Sequence, residues 1–590
     1  MVLLLLACTL LFFFRLGVPG IIDPGDGYYS EGAREMLERG DFSAPFLNYQ
    51  LFYAKPILIY WLICSAYATF GITAFAARFW SAAAATISVF TLWWTTRRLV
   101  GNRAALYAGL ILASCPLVIM YARLSLIDMT FMTLLTVSFC AMALAVLEGN
   151  SGYWSVLYVA LGLAVLAKGP AALPMIVTGT FGFFASRKPL RSSLICAWRL
   201  LKPHLGVLIV CAVALPWYLV ISRDTDGLWP RIFIGYENLM RISGQVNHRH
   251  PEYLFYLIVL AYGFFPWIFF LPAVLGAIRK GLLFRAPLEG AICSQSRTMA
   301  YQSFLCWWLL PVFVALSLAP TKMQSYILPA FPALAALTAI CLADERDVRS
   351  RLFINTCKTL MVLGLILSVT TCATLLCVPE LHLLIHKPAK VVALLQEFVG
   401  SLSVGEEIAL ICAAFISSLG LFLQYAKARQ GKKHTAVQIA LLTVVAAASI
   451  VAPIGFESVY RLQFQSLRRL TQVIPADARV AVFKEFRPSL IFYLRRPVDT
   501  FFAAYHLLPA QERTPLYIFV EEEDVASLLQ AHGGALRVVQ SEGRWSVLRT
   551  ESLQVYKYPS PAEQIYGGVN LGDKDATSTI LPFSGGAKQF

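Results

Sequence analysis

Charge is scarce in this chain. Only 14% of its 590 residues are Asp, Glu, Lys or Arg, while 58% are hydrophobic, and the mean hydropathy is +0.65. A soluble protein of this size has no use for so much apolar surface, so a water-soluble globular enzyme is excluded. Acid is scarcer still, with 34 Asp and Glu against 49 Lys and Arg and a formal charge of +15. The excess base sits between apolar runs, as membrane anchors do, so nucleic acid is not an expected partner. None of the 13 cysteines follows Cys412, and no Cys-x-x-Cys occurs. Zinc and disulfide frameworks are therefore not expected. Gly-rich phosphate loops of the P-loop or dinucleotide type are absent, which argues against a soluble nucleotide donor. No basic n-region precedes Val2–Leu16, and no clear small-residue cleavage site follows it. That stretch predicts a retained first span, not a removed signal peptide.

Long apolar runs are present throughout. The fold class they predict is a polytopic α-helical membrane protein of about 13 transmembrane helices, with residues 1–454 forming the membrane domain. Ile57–Phe70 is apolar but short and aromatic. If it crossed the bilayer, Arg97, Arg98 and Arg103 would face outside, so it is expected to be interfacial or re-entrant. The N-terminus is then inside. Every basic cluster falls on the same side, including Arg187–Lys202, Arg279–Lys280, Arg346–Arg351 and Lys427–Lys433. Two long outer loops remain, 19–74 and 222–253. Residues 455–558 change composition and predict a small α/β extracytoplasmic domain. Its expected strands are Arg479–Phe483, Leu490–Tyr493, Tyr517–Phe519 and Leu536–Val539. Its expected helices are Ser466–Val473 and Glu523–His532. The tail, 559–590, is rich in Gly, Ser, Pro and Thr and reads as disordered.

The polar stretch from Asp23 to Pro56 organises the rest. It opens on Asp23 and Asp26, continues into the amphipathic GAREMLERG ending at Gly40, and closes on Lys55-Pro56. Further polar residues cluster at outer span ends: Arg123, Asp128, Lys168, Glu237, Arg241, His248, Arg249, Lys322 and Tyr326. Charges near membrane depth are costly and mark substrate paths, although a lone Lys168 reads more simply as a snorkelling side chain. Lys55 and Arg241, with Lys322 or Arg249, have the chemistry to hold a lipid phosphate and to steady it as it leaves. Asp26 and Asp128 suit a general base or the support of an oxocarbenium-like centre. Tyr326 suits a sugar. Tyr28, Glu237 and Arg123 complete the candidate sugar and acceptor set. His248-Arg249-His250 lacks partner ligands at a recognisable spacing, so no metal and no cofactor are expected.

The ordered set resembles the ArnT and protein O-mannosyltransferase superfamily of C-type (GT-C) membrane glycosyltransferases. The residues that carry the resemblance are Gly25-Asp26-Gly27-Tyr28-Tyr29-Ser30-Glu31, Tyr53-Ala54-Lys55-Pro56 and Asp128. Lys168-Gly169-Pro170, Pro216-Trp217-Tyr218, Glu237 with Arg241, and Lys322 with Tyr326-Ile327-Leu328-Pro329 extend it. The resemblance implies a polyprenyl-phosphate-linked sugar donor, undecaprenyl phosphate in a bacterial inner membrane. It implies an envelope acceptor: lipid A, another glycan or protein. It places Lys55 and Arg241 at phosphate-binding positions, Asp128 at a functional aspartate and Tyr326 at a pocket tyrosine. The family's first-loop Asp and Arg fall on Gly25 and Tyr28, its Glu before Lys-Pro on Ala54, and a second-loop His on Tyr236. The expectation is therefore an inverting, metal-independent transferase, with the substrate pair left open. Two other classes compete. A flippase or transporter predicts inverted repeats, and none is visible. A catalytically degenerate scaffold subunit predicts that Lys55 or Asp128 is dispensable.

Overall fold

A computed structural model describes residues 1–150, 152–235, 254–285, 294–344, 351–377, 390–509 and 514–555. The described residues fall into two units. The first takes in Met1–Leu16, Arg78–Leu219 and His248–Gly455, and the second takes in Gly17–Ala77, Val220–Asn247 and Phe456–Phe590.

The first unit is helical. Among the described residues, eight helices are long and apolar enough to cross a membrane, or up to ten if each of two bent pairs is one span. The expected number, about 13, is corrected by length, since a span needs about 20 residues. Three of the expected spans are short helices: Val2–Phe13, Tyr153–Lys168 and Ala172–Ala185, none above 17 residues. Proline accounts for the bent pairs. Asn102–Ala113 and Pro116–Ala122 meet at 63°, and Phe255–Gly263 and Trp267–Leu283 at 110°. Pro116 and Pro266 lie at these breaks, where proline removes a helical N–H and pushes the preceding residue out of the α region. Leu58–Phe70, which belongs to the second unit and is not counted as a span from sequence, is a 13-residue helix.

Helices of this unit differ in what surrounds them. Ile127–Leu147 and Gln324–Ala343 are mostly buried, whereas Pro203–Asp224 and Arg351–Leu376 are mostly exposed. The exposed side chains include Val207, Leu208, Leu219, Leu365 and Val369. Apolar surface on that scale requires a lipid environment.

The second unit carries the sheet. Its strands are β1 (Phe46–Leu47), β2 (Gln50–Leu51), β3 (Arg479–Phe483), β4 (Asp499–Phe501), β5 (Leu507–Pro509), β6 (Leu516–Glu521), β7 (Arg537–Glu542), β8 (Trp545–Thr550) and β9 (Leu553–Val555). Five form one sheet in the order β4-β3-β6-β8-β7. β4, β3 and β6 run parallel, while β8 and β7 are antiparallel. Central strands β3 and β6 are buried along nearly their whole length, as strands covered on both faces must be. The expected strand Leu490–Tyr493 is instead the helix Pro488–Leu494. Pro488 starts it at the first turn and Arg495 stops it in the left-handed region (φ 53°). A run of four apolar residues does not distinguish a buried strand from a buried helical turn.

Candidate active site

The polar stretch is built around the helix Gly25–Arg39, which ends at Gly40 in the left-handed conformation (φ 68°) that glycine adopts without penalty. Asp26 lies in its first turn, is 2% exposed, and its Oδ2 accepts the Ile22 N–H at 3.0 Å. A carboxylate there also complements the positive end of the helix. Asp23 reaches into the sheet-bearing part of the same unit. Its Oδ1 accepts the Ser489 N–H at 2.9 Å, and its Oδ2 accepts the Ser489 hydroxyl. Burial pushes the Asp23 carboxyl up to about 6, against the pull of Arg487. Ile21 N–H donates to the Tyr493 hydroxyl at 2.8 Å, so the entry to the helix is fastened twice to Pro488–Leu494.

The interior face of the helix is an ionic cluster. Arg34 grips Glu31 with two bonds, Nε to Oε2 at 2.8 Å and Nη2 to Oε1 at 2.7 Å, and also pairs with Glu38. Arg34 Nη2 donates to the Tyr49 hydroxyl at 3.2 Å, and Glu35 Oε2 accepts the Tyr49 N–H at 2.8 Å. Glu35 is fully buried. Burial, then the neighbouring Glu31 carboxylate, push the Glu35 carboxyl up to about 8. The cluster therefore fixes the β1–β2 hairpin, whose loop residues Asn48 and Tyr49 both have positive φ (56° and 63°). Such a two-residue loop matches the twist of paired strands. The chain then runs through half-buried Lys55 to Pro56 and the helix Leu58–Phe70. Tyr28 stacks on Phe52 (5.9 Å, 11°) and Phe486 (6.1 Å, 23°), so its ring faces serve packing.

In the first unit the central feature is an ion pair. Ile127–Leu147 and Tyr153–Lys168 are joined by a short connection and pack as a hairpin, which brings the start of one beside the end of the other. Asp128 occupies the first turn and Lys168 the last, the positions where helix dipoles favour each charge. Lys168 Nζ lies 2.5 Å from Asp128 Oδ1. It also lies 4.6 Å from the centroid of the Tyr326 ring and 5.2 Å from that of Phe131. Gly169 stops the helix with φ 82°, a value that favours glycine. Tyr326 sits on the 3-10 segment Gln324–Ala330, which Trp308 Nε1 anchors through Pro329 O at 2.9 Å.

Asp128, Lys168 and Tyr326 thus form one constellation. Sequence reasoning named Asp128 and Tyr326 but passed over Lys168 as a site residue. The Lys168-Gly169-Pro170 motif, coming one helix after Asp128, was the available signal. Lys322 is buried, and its Nζ donates to Ala319 O at 2.7 Å. Arg123, also buried, directs Nη1 to the carbonyls of Leu11 (3.2 Å) and Phe14 (3.0 Å), clasping the first helix. Glu237, Arg241, His248 and Arg249 lie outside the described residues. No group of three or more His, Cys, Asp or Glu suited to a metal occurs among the described residues.

Known proteins resemble the chain in sequence and in fold. The family described as dolichyl-phosphate-mannose-protein mannosyltransferase matches residues 54–219, which include Lys55, Asp128 and Lys168. An undecaprenyl phosphate-alpha-4-amino-4-deoxy-L-arabinose arabinosyl transferase of Edwardsiella ictaluri is 29% identical over 341 residues, 57% of this chain and 58% of that one. Its counterpart in Pseudomonas fluorescens is 29% identical over 351 residues, 58% of this chain and 59% of that one. The chain thus matches less than two thirds of the length of these relatives. The crystal structure of ArnT from Cupriavidus metallidurans bound to undecaprenyl phosphate superposes with a TM-score of 0.73 at 20% identity, covering 93% of this chain and 97% of that one. The apo form of that protein gives a TM-score of 0.71 at 21% identity. At such identity the likeness concerns the fold. By sequence the chain is similar to these arabinosyl transferases and to the mannosyltransferase family, and by fold it is similar to ArnT.

Proposed function

We propose that the protein transfers a sugar from a polyprenyl-phosphate donor to an envelope acceptor at the outer face of a bacterial inner membrane. An acceptor oxygen attacks the anomeric carbon, the bond from that carbon to the phosphate oxygen breaks, and polyprenyl phosphate leaves with the electron pair. Attack opposite the leaving group inverts the anomeric centre. Lys55 and Arg241 hold the donor phosphate and balance the charge that develops on it. Asp26 and Asp128 orient the acceptor or take its proton. An acceptor that is already a phosphate needs only positioning.

The observation that carries this reading is the Asp128–Lys168–Tyr326 constellation. Its three members come from separate positions of the ordered motif set, and together they present a fixed cation, an anion and an aromatic ring. Such a group suits a sugar phosphate and has no evident structural need at a helix end, where a single cap would do. We assign Lys168 to the site as a positioning residue for Asp128. Tyr326, held beneath the ammonium, suits contact with the sugar. Lys322 suits the phosphate, and Tyr28, Glu237 and Arg123 the surroundings of the sugar and acceptor.

For orientation, we place the N-terminus in the cytoplasm and the C-terminal α/β domain in the periplasm. The basic clusters support this by the positive-inside rule. The bonds from Asp23 and Ile21 to Ser489 and Tyr493 support a shared side for the first loop and that domain. The direct test is binding of undecaprenyl phosphate to the purified protein. The intact chain should bind it, and Lys55→Ala should bind it at least about tenfold more weakly, as loss of a charge-assisted contact implies. Intact protein that binds no polyprenyl phosphate would sink the reading.

A further inference from the structure

A second cationic site lies away from this chemistry. A cleft of about 330 Å³ opens where Ala172–Ala185 ends beside Leu271–Leu283 and Ser294–Leu318. It is lined by Gly182, Ser186, Lys188, Leu282, Arg285 and Trp307, and no carboxylate among the described residues lines it. Two bonds staple its rim. Arg187 Nη1 donates to Phe284 O at 2.7 Å, and Lys188 N–H donates to Arg285 O at 3.4 Å. The staples hold Lys188 and Arg285 side by side, although like charges repel.

Several donors around the cleft lack acceptors. Arg187, between two lining residues, is 1% exposed, yet its Nε and Nη2 have no partner among the described residues. Its guanidinium rests on the rings of Phe183 (4.4 Å) and Phe284 (5.0 Å), and no carboxylate among the described residues pairs with it. The buried Nε1 of Trp307 is likewise unpartnered. Buried donors and an unpaired buried cation are costly unless an anion completes them. The helix C-terminus does not oppose an anion strongly, because Ser186 N–H and Arg187 N–H already bond Gly182 O and Phe184 O, each at 3.1 Å. One wall of the cleft is close-packed: a Cβ on Gly182 would stand 2.1 Å from the Trp307 ring, so glycine lets the indole lie on the helix backbone.

The neighbouring helix fixes the depth. Leu190–Leu201 exposes Leu190, Leu194, Ile195 and Trp198 and carries Arg191 and Arg199. A short helix with exposed leucines, a tryptophan and arginines lies in the headgroup layer. No acidic residue occurs from Arg187 through Arg223, so the segment that leads from the cleft into this helix carries only basic charge.

We propose that this cleft binds the phosphate of an anionic phospholipid headgroup, with Lys188 and Arg285 as its charged walls. The lipid anchors the protein from the face that carries the basic loops, and does not take part in sugar transfer. The test titrates the purified full chain in neutral detergent with short-chain phosphatidylglycerol, short-chain phosphatidylcholine or inorganic phosphate, reading thermal stability. Phosphatidylglycerol should stabilise the native chain with a defined midpoint. Lys188→Gln with Arg285→Gln should weaken it by about tenfold or more, since each surface cation contributes on this scale. Arg279→Gln with Lys280→Gln, which removes the same charge from residues that do not line the cleft, should leave the midpoint unchanged. The swap Lys188→Arg with Arg285→Lys should restore binding and shows that the pair tolerates substitution. Equal weakening by both charge-removing pairs, or equal effects of both phospholipids, would overturn the site. Inorganic phosphate binding as well as phosphatidylglycerol would overturn the lipid assignment.

Discussion

At the residue scale, the site depends on pairs of opposite charge. Lys168 and Asp128 are partly buried, with side chains 17% and 12% exposed, so removing either leaves the other under-compensated. Asp128→Asn and Lys168→Gln should each lower transfer by about 10²-fold or more, and the double variant should lose little beyond either single one. Single-turnover rates with a lipid-linked donor measure this. Additive losses would show that the two residues act separately. Glu35 gives a different prediction. Its carboxyl rises from 4.5 to about 8 on folding, so the folded chain holds a proton that the unfolded chain releases. That contribution is fully present below pH 4.5 and is lost as pH rises through about 8. The Glu31 carboxylate, Arg34 and Tyr49 face the same group. Hydrogen exchange in Gly25–Leu51 should therefore accelerate between pH 6 and 8 beyond the intrinsic change in rate, and Glu35→Gln should flatten that trend.

At the scale of elements, short connections carry much of the specification. Asn48 occupies the left-handed region, donates Nδ2–H to Val498 O at 3.0 Å and accepts Val498 N–H at 2.9 Å. Asn48→Ala loses both bonds and the residue type suited to that backbone. The expected cost is about 2 kcal/mol, read as faster local exchange in the hairpin and in Val498. Gly182→Leu should destabilise the helix contact by about 1–3 kcal/mol, because the Trp307 ring must move. Several elements were legible in the sequence because their punctuation is local. Gly40 closes the first-loop helix, β3 falls where expected at Arg479–Phe483, and Glu522–His532 follows an acidic start. Leu490–Tyr493 was misread because its four apolar residues fit either period. The strand Trp545–Thr550 was not recognised, although it forms a tight hairpin with β7, because the polar Ser546, Arg549 and Thr550 leave it without a continuous apolar run.

At the scale of the whole molecule, composition made the membrane class plain, but span number depends on breaks that hydropathy averages over. Windows centred on Pro116 and Pro266 read as continuous spans, whereas the backbone turns by 63° and 110° there. The sequence motifs named Asp128 and Tyr326, which both lie against Lys168 in the structure. Lys168 was not named, because its pairing with Asp128 exists only once two antiparallel helices bring them together. The same limit hid Ser489 as the partner of Asp23, which lies 466 residues away in the chain. The proposed orientation has its own test. An impermeant thiol reagent on intact spheroplasts should label Ser552→Cys above the native background and should not label Arg429→Cys. Labelling of both, or of the second alone, would reverse the topology.

Sugar transfer itself is best tested in the envelope. Mass spectrometry should compare lipids, glycans and proteins from strains carrying the native protein, Lys55→Ala, or no protein. A single sugar mass present with the native protein, and missing from both other strains at equal expression, is the expected result, and it names the acceptor. Identical envelopes in all three strains, with the native protein well expressed, would contradict the transferase and favour a scaffold or transporter.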